Sequence, residues 1–305
     1  MTQASADPVP SLTGALPPKV PILTIYGLYA RKLGNWLAIA DLIRLMADLG
    51  YAEQVTRSAA SRMKKGGLLE PQTLEQAPGY RLSTAAMDIL ADGDARIFHA
   101  EIPADPADGW ILIAFSVPEQ RRAERHVLRS RLIGLGFGQV SGGVWVAPRR
   151  TLPELRRMLE RTGLVAYASL WEARYLGDAA ALVQEAWDLP ELERSYQQFL
   201  DAGLPVAARW RDQHPDADSA QDAFTDYTQV VSLWRRLPYR DPGLPAELLP
   251  GQWAGQRARE LFAELAARLA PGALRYVLTV VARRNAPGAI PATAAHPYQA
   301  IPLTP

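Results

Sequence analysis

A short basic helix followed by a predicted β-hairpin is the feature that most constrains what this chain can fold into. Residues 53–65 place Val55, Ala59 and Met63 at i, i+4 and i+8, which predicts an apolar stripe along one side of a helix. A Gly-Gly pair follows, and glycine readily adopts the left-handed backbone with which helices usually end. The other side of the helix is polar and basic, so we expect it to face solvent or a polyanion.

The segments on either side of this helix complete a DNA-binding pattern. Residues 41–50 form a predicted amphipathic helix, and a tight turn through 50–52 leads into the basic helix. An earlier helix is predicted within 22–33, and two short strands are predicted at 68–70 and 79–83. Three helices followed by a hairpin indicate a winged helix-turn-helix, whose third helix enters the major groove while the hairpin touches the backbone.

The outer face of the basic helix and the hairpin supply the candidate DNA contacts. Arg57, Ser61 and Lys64 are expected to face the groove, and Arg57 is the strongest candidate because a guanidinium group pairs bidentately with guanine. Thr56 is expected to meet the phosphates near the start of the helix. The candidates for flanking backbone or minor-groove contacts are Arg62, Lys65 and Arg81. A solvated surface helix would show the same charge pattern, so that interpretation stays open here.

The charge distribution favours a polyphosphate partner. The 305-residue chain has a formal net charge of only +1, but residues 19–66 carry eight basic and three acidic side chains. Residues 119–161 carry ten arginines and four glutamates, whereas residues 178–275 carry ten arginines and fifteen acidic side chains. A basic N-terminal half and an acidic C-terminal part are typical of a protein that binds polyphosphate through its N-terminal half.

Composition also excludes several kinds of site. The chain has no cysteine, which rules out disulfides and thiolate metal sites. No apolar run reaches the roughly 18 residues that a membrane span requires, and the first twenty residues show no secretory signal. We therefore expect a cytoplasmic protein with no membrane partner.

The rest of the chain predicts two further domains. Proline and glycine near 103–109 mark a boundary, after which strands and helices are predicted in the order β-α-β-β-α-β, a ferredoxin-like arrangement. From 178 onward the pattern is all-helical. The predicted fold class is therefore α+β and multidomain, with an N-terminal winged helix-turn-helix, a central ferredoxin-like domain and a C-terminal all-helical domain. The predicted boundaries are a disordered tail at 1–18, the winged helix with a connecting helix at 19–100, the ferredoxin-like domain at 101–177, the helical domain at 178–283 and a Pro/Ala-rich tail at 284–305.

Particular residues connect the chain to a known family. The most specific is the stretch Leu237-Pro-Tyr-Arg-Asp-Pro-Gly-Leu-Pro-Ala-Glu-Leu-Leu-Pro250, which is followed by Trp253-Ala-Gly255. Matching motifs in the predicted DNA-binding helices are Thr24-Ile-Tyr-Gly27, Asp41-Leu-Ile-Arg-Leu45 and Val55-Thr-Arg57 followed by Ser61-Arg62. With these residues the chain resembles the PaaX family of bacterial transcriptional regulators, over roughly residues 21–270.

The resemblance implies a function. Members of this family control phenylacetic acid degradation as homodimers that bind a pseudo-palindromic operator, usually as repressors. Their inducer is typically an aryl-CoA thioester such as phenylacetyl-CoA. The expected partners are therefore double-stranded operator DNA, a second copy of the chain and an acyl-CoA effector, and no cofactor is expected.

Five residues are candidates for the effector site. Arg121 and Arg125 lie on an arginine-rich helix whose guanidinium groups suit the phosphates of CoA, although ion pairs on a solvated helix face explain them as well. Trp234 and Trp253 are candidates for an aromatic pocket, and Arg240 lies between them in the chain. The alternative is that these aromatic residues hold the proline-rich segment in place.

An enzyme is the alternative class. The family's central domain is similar to a small CRISPR-associated nuclease with a metal-binding aspartate at the end of the first strand. Here that region is Ala114-Phe-Ser-Val117, without a carboxylate, and the four histidines show no metal-ligand spacing. We therefore predict no catalytic residue and no metal site, with a metal-dependent nuclease as the runner-up and a protein–protein adaptor as a third hypothesis.

Overall fold

The structure is a computed structural model that describes residues 16–98, 104–213 and 215–282. The predicted tails lie outside the described residues, apart from 16–18 at the end of the first one. The described chain is a mixed α+β fold with two small sheets and a C-terminal helical region.

The bounds of the elements follow chain order. The helices are α1 (Lys19–Leu28), α2 (Ile39–Asp48), α3 (Glu53–Lys65), α4 (Thr84–Phe98), α5 (Arg122–Gly134), α6 (Leu152–Thr162), α7 (Ala179–Ala186), α8 (Leu189–Arg209), α9 (Ala220–Trp234) and α10 (Ala254–Ala282). The strands are β1 (Trp36–Ala38), β2 (Leu69–Leu74), β3 (Ala77–Leu82), β4 (Trp110–Phe115), β5 (Gly138–Ser141), β6 (Val144–Pro148) and β7 (Ala168–Ala173).

The chain packs as two compact units. The first comprises the residues up to 98, residues 198–234 and the residues from 258 onward, and the second comprises 99–197 and 235–257. These units differ from the consecutive domains predicted from the sequence, because α9 and most of α10 pack with the N-terminal helices. The domain boundaries themselves stay a prediction.

The first unit contains an antiparallel three-stranded sheet beside α1, α2 and α3. β3 is the middle strand, with β2 on one side and β1 on the other. The hairpin strands are longer than predicted, and β1 was not predicted, because three residues are too few to show an alternating pattern. Gly79 in β3 permits close approach of β1: an added Cβ would lie 2.3 Å from the Leu37 carbonyl oxygen and 2.7 Å from the Trp36 ring.

Buried polar pairs join α1 to α9 within this unit. The Ser232 hydroxyl donates to the Thr24 hydroxyl at 2.9 Å, and the Tyr29 and Thr228 hydroxyls lie 3.2 Å apart. The Thr24 hydroxyl also donates to the Val20 carbonyl oxygen at 3.1 Å, so the pair with Ser232 uses it as donor and acceptor at once. A buried polar group left without a partner costs about 1–3 kcal/mol. These pairs therefore specify how α9 packs on α1, in addition to the apolar contacts around them.

Helix α10 is long and apolar enough, by length and composition alone, to cross a membrane. Within the first unit, however, it buries a continuous apolar stripe, as the core helix of a globular fold does. The buried residues of this stripe include Leu265, Leu269, Ala273 and Val277.

The second unit contains a four-stranded antiparallel sheet in the order β5-β6-β4-β7. Along the chain its elements alternate as β4-α5-β5-β6-α6-β7, the order of strands and helices that the sequence predicts. One face packs against α5 and α6 through a buried cluster that includes Ile113, Leu132 and Leu155. The other face packs against α7 through Trp110, Val146 and Val183.

The proline-rich segment 237–250 is held within the second unit by Asp241. Its carboxylate accepts the Tyr196 hydroxyl at 2.6 Å and the Gly243 amide at 2.8 Å. The Gly243 carbonyl oxygen in turn accepts the Ala104 amide at 3.2 Å. The segment is therefore ordered, as its prolines predict.

Replacing Gly79 by alanine tests the close approach of β1 to β3. We expect a loss of about 1–3 kcal/mol in the free energy of unfolding, because the new methyl group collides with the Leu37 backbone carbonyl and with the Trp36 ring. Urea unfolding followed by circular dichroism measures the change. Gly66→Ala is the matched control, since its Cβ would meet its nearest neighbour at an ordinary 3.4 Å. Equal stability of the two variants would contradict this account of the sheet.

Candidate nucleic-acid interface

Helix α3 is held by a buried stripe of Thr56, Ala59, Ala60 and Met63. The predicted stripe included Val55, which is instead 40% exposed. The difference is geometric: at about 100° per residue, each step of four residues advances about 40° around the helix, so Val55 lies about 80° from Met63. The observed i, i+3, i+4, i+7 spacing keeps the buried side chains on one face.

Thr56 was predicted to contact phosphate, and this prediction is wrong for its side chain. Thr56 is 0% exposed. Its hydroxyl donates to the Ala52 carbonyl oxygen at 3.3 Å, and its amide donates to the same oxygen at 3.1 Å. A small β-branched residue packs well on this inward face, and its hydroxyl is satisfied within the helix.

The face opposite the buried stripe carries a polar row with i, i+4, i+7, i+11 spacing. This row consists of Gln54, Ser58, Ser61 and Lys65. Ser61 is half-buried and the other three are exposed. Sequence reasoning missed Gln54 and Ser58, because placing Val55 inside rotated the expected outer face. The spacing of Thr56, Ala59, Ala60 and Met63 was the signal that could have found them.

The basic residues of α3 flank this polar row. Arg57 and Lys64 lie on one side of it and Arg62 on the other, and all three are exposed. Arg57 donates to Glu53 at 2.8 Å, an i, i+4 pair with both side chains at least half exposed. Such a pair is worth about 0.3–0.5 kcal/mol, so it yields readily to a stronger partner.

The last turn of α3 is the most strongly positive part of the helix. Arg62, Lys64 and Lys65 are exposed there and form no ion pair with any residue that the structure describes. Cations at a helix C-terminus interact favourably with the helix dipole, which explains their position without a ligand. Their uncompensated charge also makes this turn attractive to phosphate.

The hairpin presents Arg81 beside a carboxylate. Arg81 lies opposite Glu70 in the β2–β3 register, and its guanidinium group pairs with that carboxylate at 2.7 Å. Both side chains are about half exposed. The hairpin turns through Glu75 and Gln76, both with positive φ, as a two-residue type I′ turn requires.

Arg121 and Arg125, two effector candidates, lie together at the start of α5 in the second unit. Arg125 is 3.0 Å from Glu119 and donates to the Val117 carbonyl oxygen at 2.8 Å. Arg121 is 3.4 Å from Glu124, and its guanidinium carbon lies 5.5 Å from the centre of the Tyr167 ring. Such local pairs are expected on a solvated helix face. Both side chains nevertheless remain accessible to a ligand.

Trp253 contacts Tyr196 in the same unit, and Arg240 contacts the neighbouring Ser195. The Trp253 and Tyr196 rings meet edge-on with centroids 5.8 Å apart. Arg240 donates to Ser195 at 3.3 Å and lies 3.6 Å from Glu191. The pKa of Glu191 is lowered, first by its hydrogen bond from Arg194 and also by Arg240.

Trp234 is separate from these residues, in the core of the first unit, and is only 2% exposed. Its ring stacks on Phe262 with centroids 4.7 Å apart, and its indole N–H donates to the Ile97 carbonyl oxygen at 2.8 Å. Packing and hydrogen bonding thus account for Trp234 completely. Its assignment to an effector pocket is corrected, because sequence alone does not distinguish a core tryptophan from a pocket-lining one.

Among the residues that the structure describes, no group of three or more His, Cys, Asp or Glu side chains is arranged to hold a metal ion. His99, His214 and His296 lie outside the described residues. Strand β4 and the two residues after it carry no carboxylate.

Comparisons with known proteins match nearly the whole described chain. The family model for the PaaX-like protein matches residues 19–86, that for the PaaX protein central Cas2-like domain matches 103–183, and that for the PaaX-like protein C-terminal domain matches 187–279. The transcriptional repressor PaaX of Escherichia coli (strain K12) is 28% identical over 278 residues, which cover 88% of this chain and 87% of that protein.

A solved structure shares the fold. It is the uncharacterized protein Rv0674 from Mycobacterium tuberculosis, with a TM-score of 0.51 and 24% identity over 82% of this chain and 99% of that chain. The named relative is a transcriptional repressor. Because three models of a single family together span residues 19–279, the chain belongs to the PaaX family of transcriptional regulators.

Proposed function

We propose that this chain is a dimeric DNA-binding repressor that reads its operator with a winged helix-turn-helix in the first unit. The observation that carries the proposal is the outer face of α3, which is polar along its centre and basic on its flanks and at its end. A helix of this size fits the major groove, and the β2–β3 hairpin has the position in the chain that a wing requires.

Different residues of this interface supply specificity and affinity. Gln54 and Arg57 have planar groups that pair bidentately with adenine and guanine, respectively, so we propose them as base readers. Lys64 and Lys65, with Arg62 and Arg81, are proposed to contact phosphates, which position a protein without reading sequence. Ser61, next to Arg57 on the outer face, is proposed to make a secondary contact.

We further propose a ferredoxin-like fold for the sheet and two helices of the second unit. Its strand order β5-β6-β4-β7, with both helices on one face, supports this assignment. We assign dimerisation and effector binding to this domain from the family resemblance. Two copies would then bind half-sites one helical turn, or a multiple of it, apart.

The proposed effector is an aryl-CoA thioester such as phenylacetyl-CoA. The proposed target is an operon for phenylacetate-type catabolism, which the protein would regulate in the cytoplasm. Both proposals are based on the family resemblance. Arg121, Arg125, Arg240 and Trp253 remain the proposed effector contacts, since each is accessible at least in part. The effector releases DNA only by its differential affinity for two states of the protein.

A nuclease function is not proposed. The central domain lacks a carboxylate at the end of β4, where the resembling nucleases place their metal-binding aspartate. The adaptor hypothesis does not account for the exposed basic turn at the end of α3, which a protein–protein adaptor does not require.

Replacing Arg57 by alanine tests base readout. We expect the affinity for a duplex from the protein's own upstream region to fall by about 1–3 kcal/mol, because the variant cannot form one bidentate pair with a base. Affinity for a scrambled duplex of equal length should change little. Fluorescence anisotropy measures both, with Arg257→Ala, an exposed arginine outside α3, as control. An equal loss on both duplexes would instead identify Arg57 as a phosphate contact.

The double variant Lys64→Ala/Lys65→Ala tests the phosphate contacts. Affinity should fall on both duplexes, and the slope of log affinity against log salt should become shallower by roughly 0.9 for each phosphate that the variant no longer neutralises. Anisotropy titrations at several salt concentrations give the slope. Lys19→Ala, which removes an exposed lysine from the start of α1, should leave it unchanged. An unaltered slope in the double variant would remove the end of α3 from the interface.

Ligand release tests the effector. Phenylacetyl-CoA should dissociate the protein from its upstream duplex, whereas free CoA and free phenylacetate should not, because neither carries both the acyl group and the phosphates. The measurement is the anisotropy of a preformed complex titrated with each compound. Release by CoA alone would identify a phosphate effect rather than thioester recognition. Indifference to all three would discard this effector while keeping the DNA-binding function.

A further inference from the structure

Asp48, the last residue of α2, is held by two helices from the C-terminal part of the chain. The Tyr276 hydroxyl of α10 donates to one carboxylate oxygen at 2.6 Å, and the Gln221 amide of α9 donates to the other at 3.0 Å. The Thr225 hydroxyl of α9 is 3.5 Å from the Asp48 backbone carbonyl oxygen. The Asp48 side chain is only 8% exposed. Both carboxylate oxygens and the backbone carbonyl oxygen of Asp48 thus accept hydrogen bonds from α9 or α10.

The other charged neighbour of this carboxylate lies on α2 itself. Arg44 is 3.7 Å from Asp48, with its own side chain more than half exposed. Burial raises the pKa of Tyr276, and its hydrogen bond to Asp48 raises it further. Its hydroxyl therefore keeps its proton and donates to the carboxylate across the physiological pH range.

The position of Asp48 connects these contacts to DNA readout. Only residues 49–52 separate it from α3, and this turn is tight: Gly50 has φ +84°, and the Tyr51 amide donates to the Met46 carbonyl oxygen at 2.9 Å. A displacement of the last turn of α2 therefore passes directly to the start of α3. Gln54 and Arg57, the proposed base readers, lie in the first two turns of that helix.

We propose that Asp48 is a positioning residue for base readout, and that α9 and α10 orient α3 through it. This inference rests on the proposed function. It means that residues that do not face DNA also determine the specificity of DNA binding. Base contacts need near-correct geometry, whereas phosphate contacts from flexible lysine side chains tolerate a shift. Removing a hydrogen bond to Asp48 should therefore lower the affinity for specific DNA more than the affinity for non-specific DNA.

The alternative is that these hydrogen bonds only stabilise the fold, and a matched pair of variants separates the two. Tyr276→Phe removes the hydroxyl that binds Asp48 and also interacts with Arg44 on α2, and it keeps the ring, which packs on Phe224 at 5.5 Å. Tyr29→Phe removes a hydroxyl that binds Thr228 on α9, and its ring packs on the same Phe224 at 5.7 Å. The control thus removes a tyrosine hydrogen bond between α9 and the residue after α1, away from the α2–α3 turn, although its acceptor is a neutral hydroxyl and not a carboxylate.

The experiment measures the affinity of wild type and both variants for the upstream duplex and for a scrambled duplex of equal length. Urea unfolding at the assay temperature shows that wild type and both variants are folded there. We expect Tyr276→Phe to lower the specific-to-non-specific affinity ratio roughly tenfold, the equivalent of one hydrogen bond to a charged group. Tyr29→Phe should leave this ratio unchanged.

The outcomes are distinguishable. A wild-type ratio of one would overturn the proposed function and the positioning role together. A high wild-type ratio that Tyr276→Phe leaves intact would overturn the positioning role alone. An equal fall of the ratio in both variants would also overturn it, since the effect would then follow general destabilisation rather than the hydrogen bond to Asp48.

Discussion

The first unit depends on polar contacts between residues that are far apart in the chain. Tyr276 and Asp48 are separated by 228 positions, and Ser232 and Thr24 by 208, yet each pair forms a hydrogen bond, partly buried in the first case and buried in the second. Buried polar groups are costly unless they are paired, so these contacts favour one arrangement of the helices over others of similar apolar area. The helices that would read DNA are therefore completed by the C-terminal helical region.

This dependence explains how α3 can leave its outer face exposed. Its own buried stripe is made of small residues and one methionine, which contribute little apolar area. An isolated helix of 13 residues is marginal in water. Most of the stability of α3 must therefore come from the unit around it, and the polar row and the basic end contribute little to its packing.

The sequence predicted well what is local and poorly what is long-range. The limits of α3 and the order of the strands and helices of the second unit followed from periodicity and turn residues. The burial of Val55 and the exposure of Thr56 were predicted wrongly, since a stripe read at four-residue steps drifts around a helix. The partners of Trp234 and Asp48 depend on contacts between distant segments, about which a single sequence carries no information. For the same reason the candidate effector residues were proposed together although Trp234 belongs to another unit.

The ion pairs of the proposed interface suggest how specificity and affinity are divided. Arg57 and Arg81 each rest against a carboxylate, whereas Lys64 and Lys65 form no ion pair with a described residue. An arginine that must leave Glu53 to reach DNA gives up about 0.3–0.5 kcal/mol and leaves a carboxylate near the phosphates. A bidentate contact with guanine is worth about 1–3 kcal/mol, which exceeds the cost of breaking the ion pair. A single phosphate contact is screened by salt and exceeds that cost by a smaller margin. In the proposed interface, Arg57 would thus favour the correct sequence. Lys64 and Lys65 would hold the protein on any duplex, together with Arg81, whose proposed contact is with phosphate.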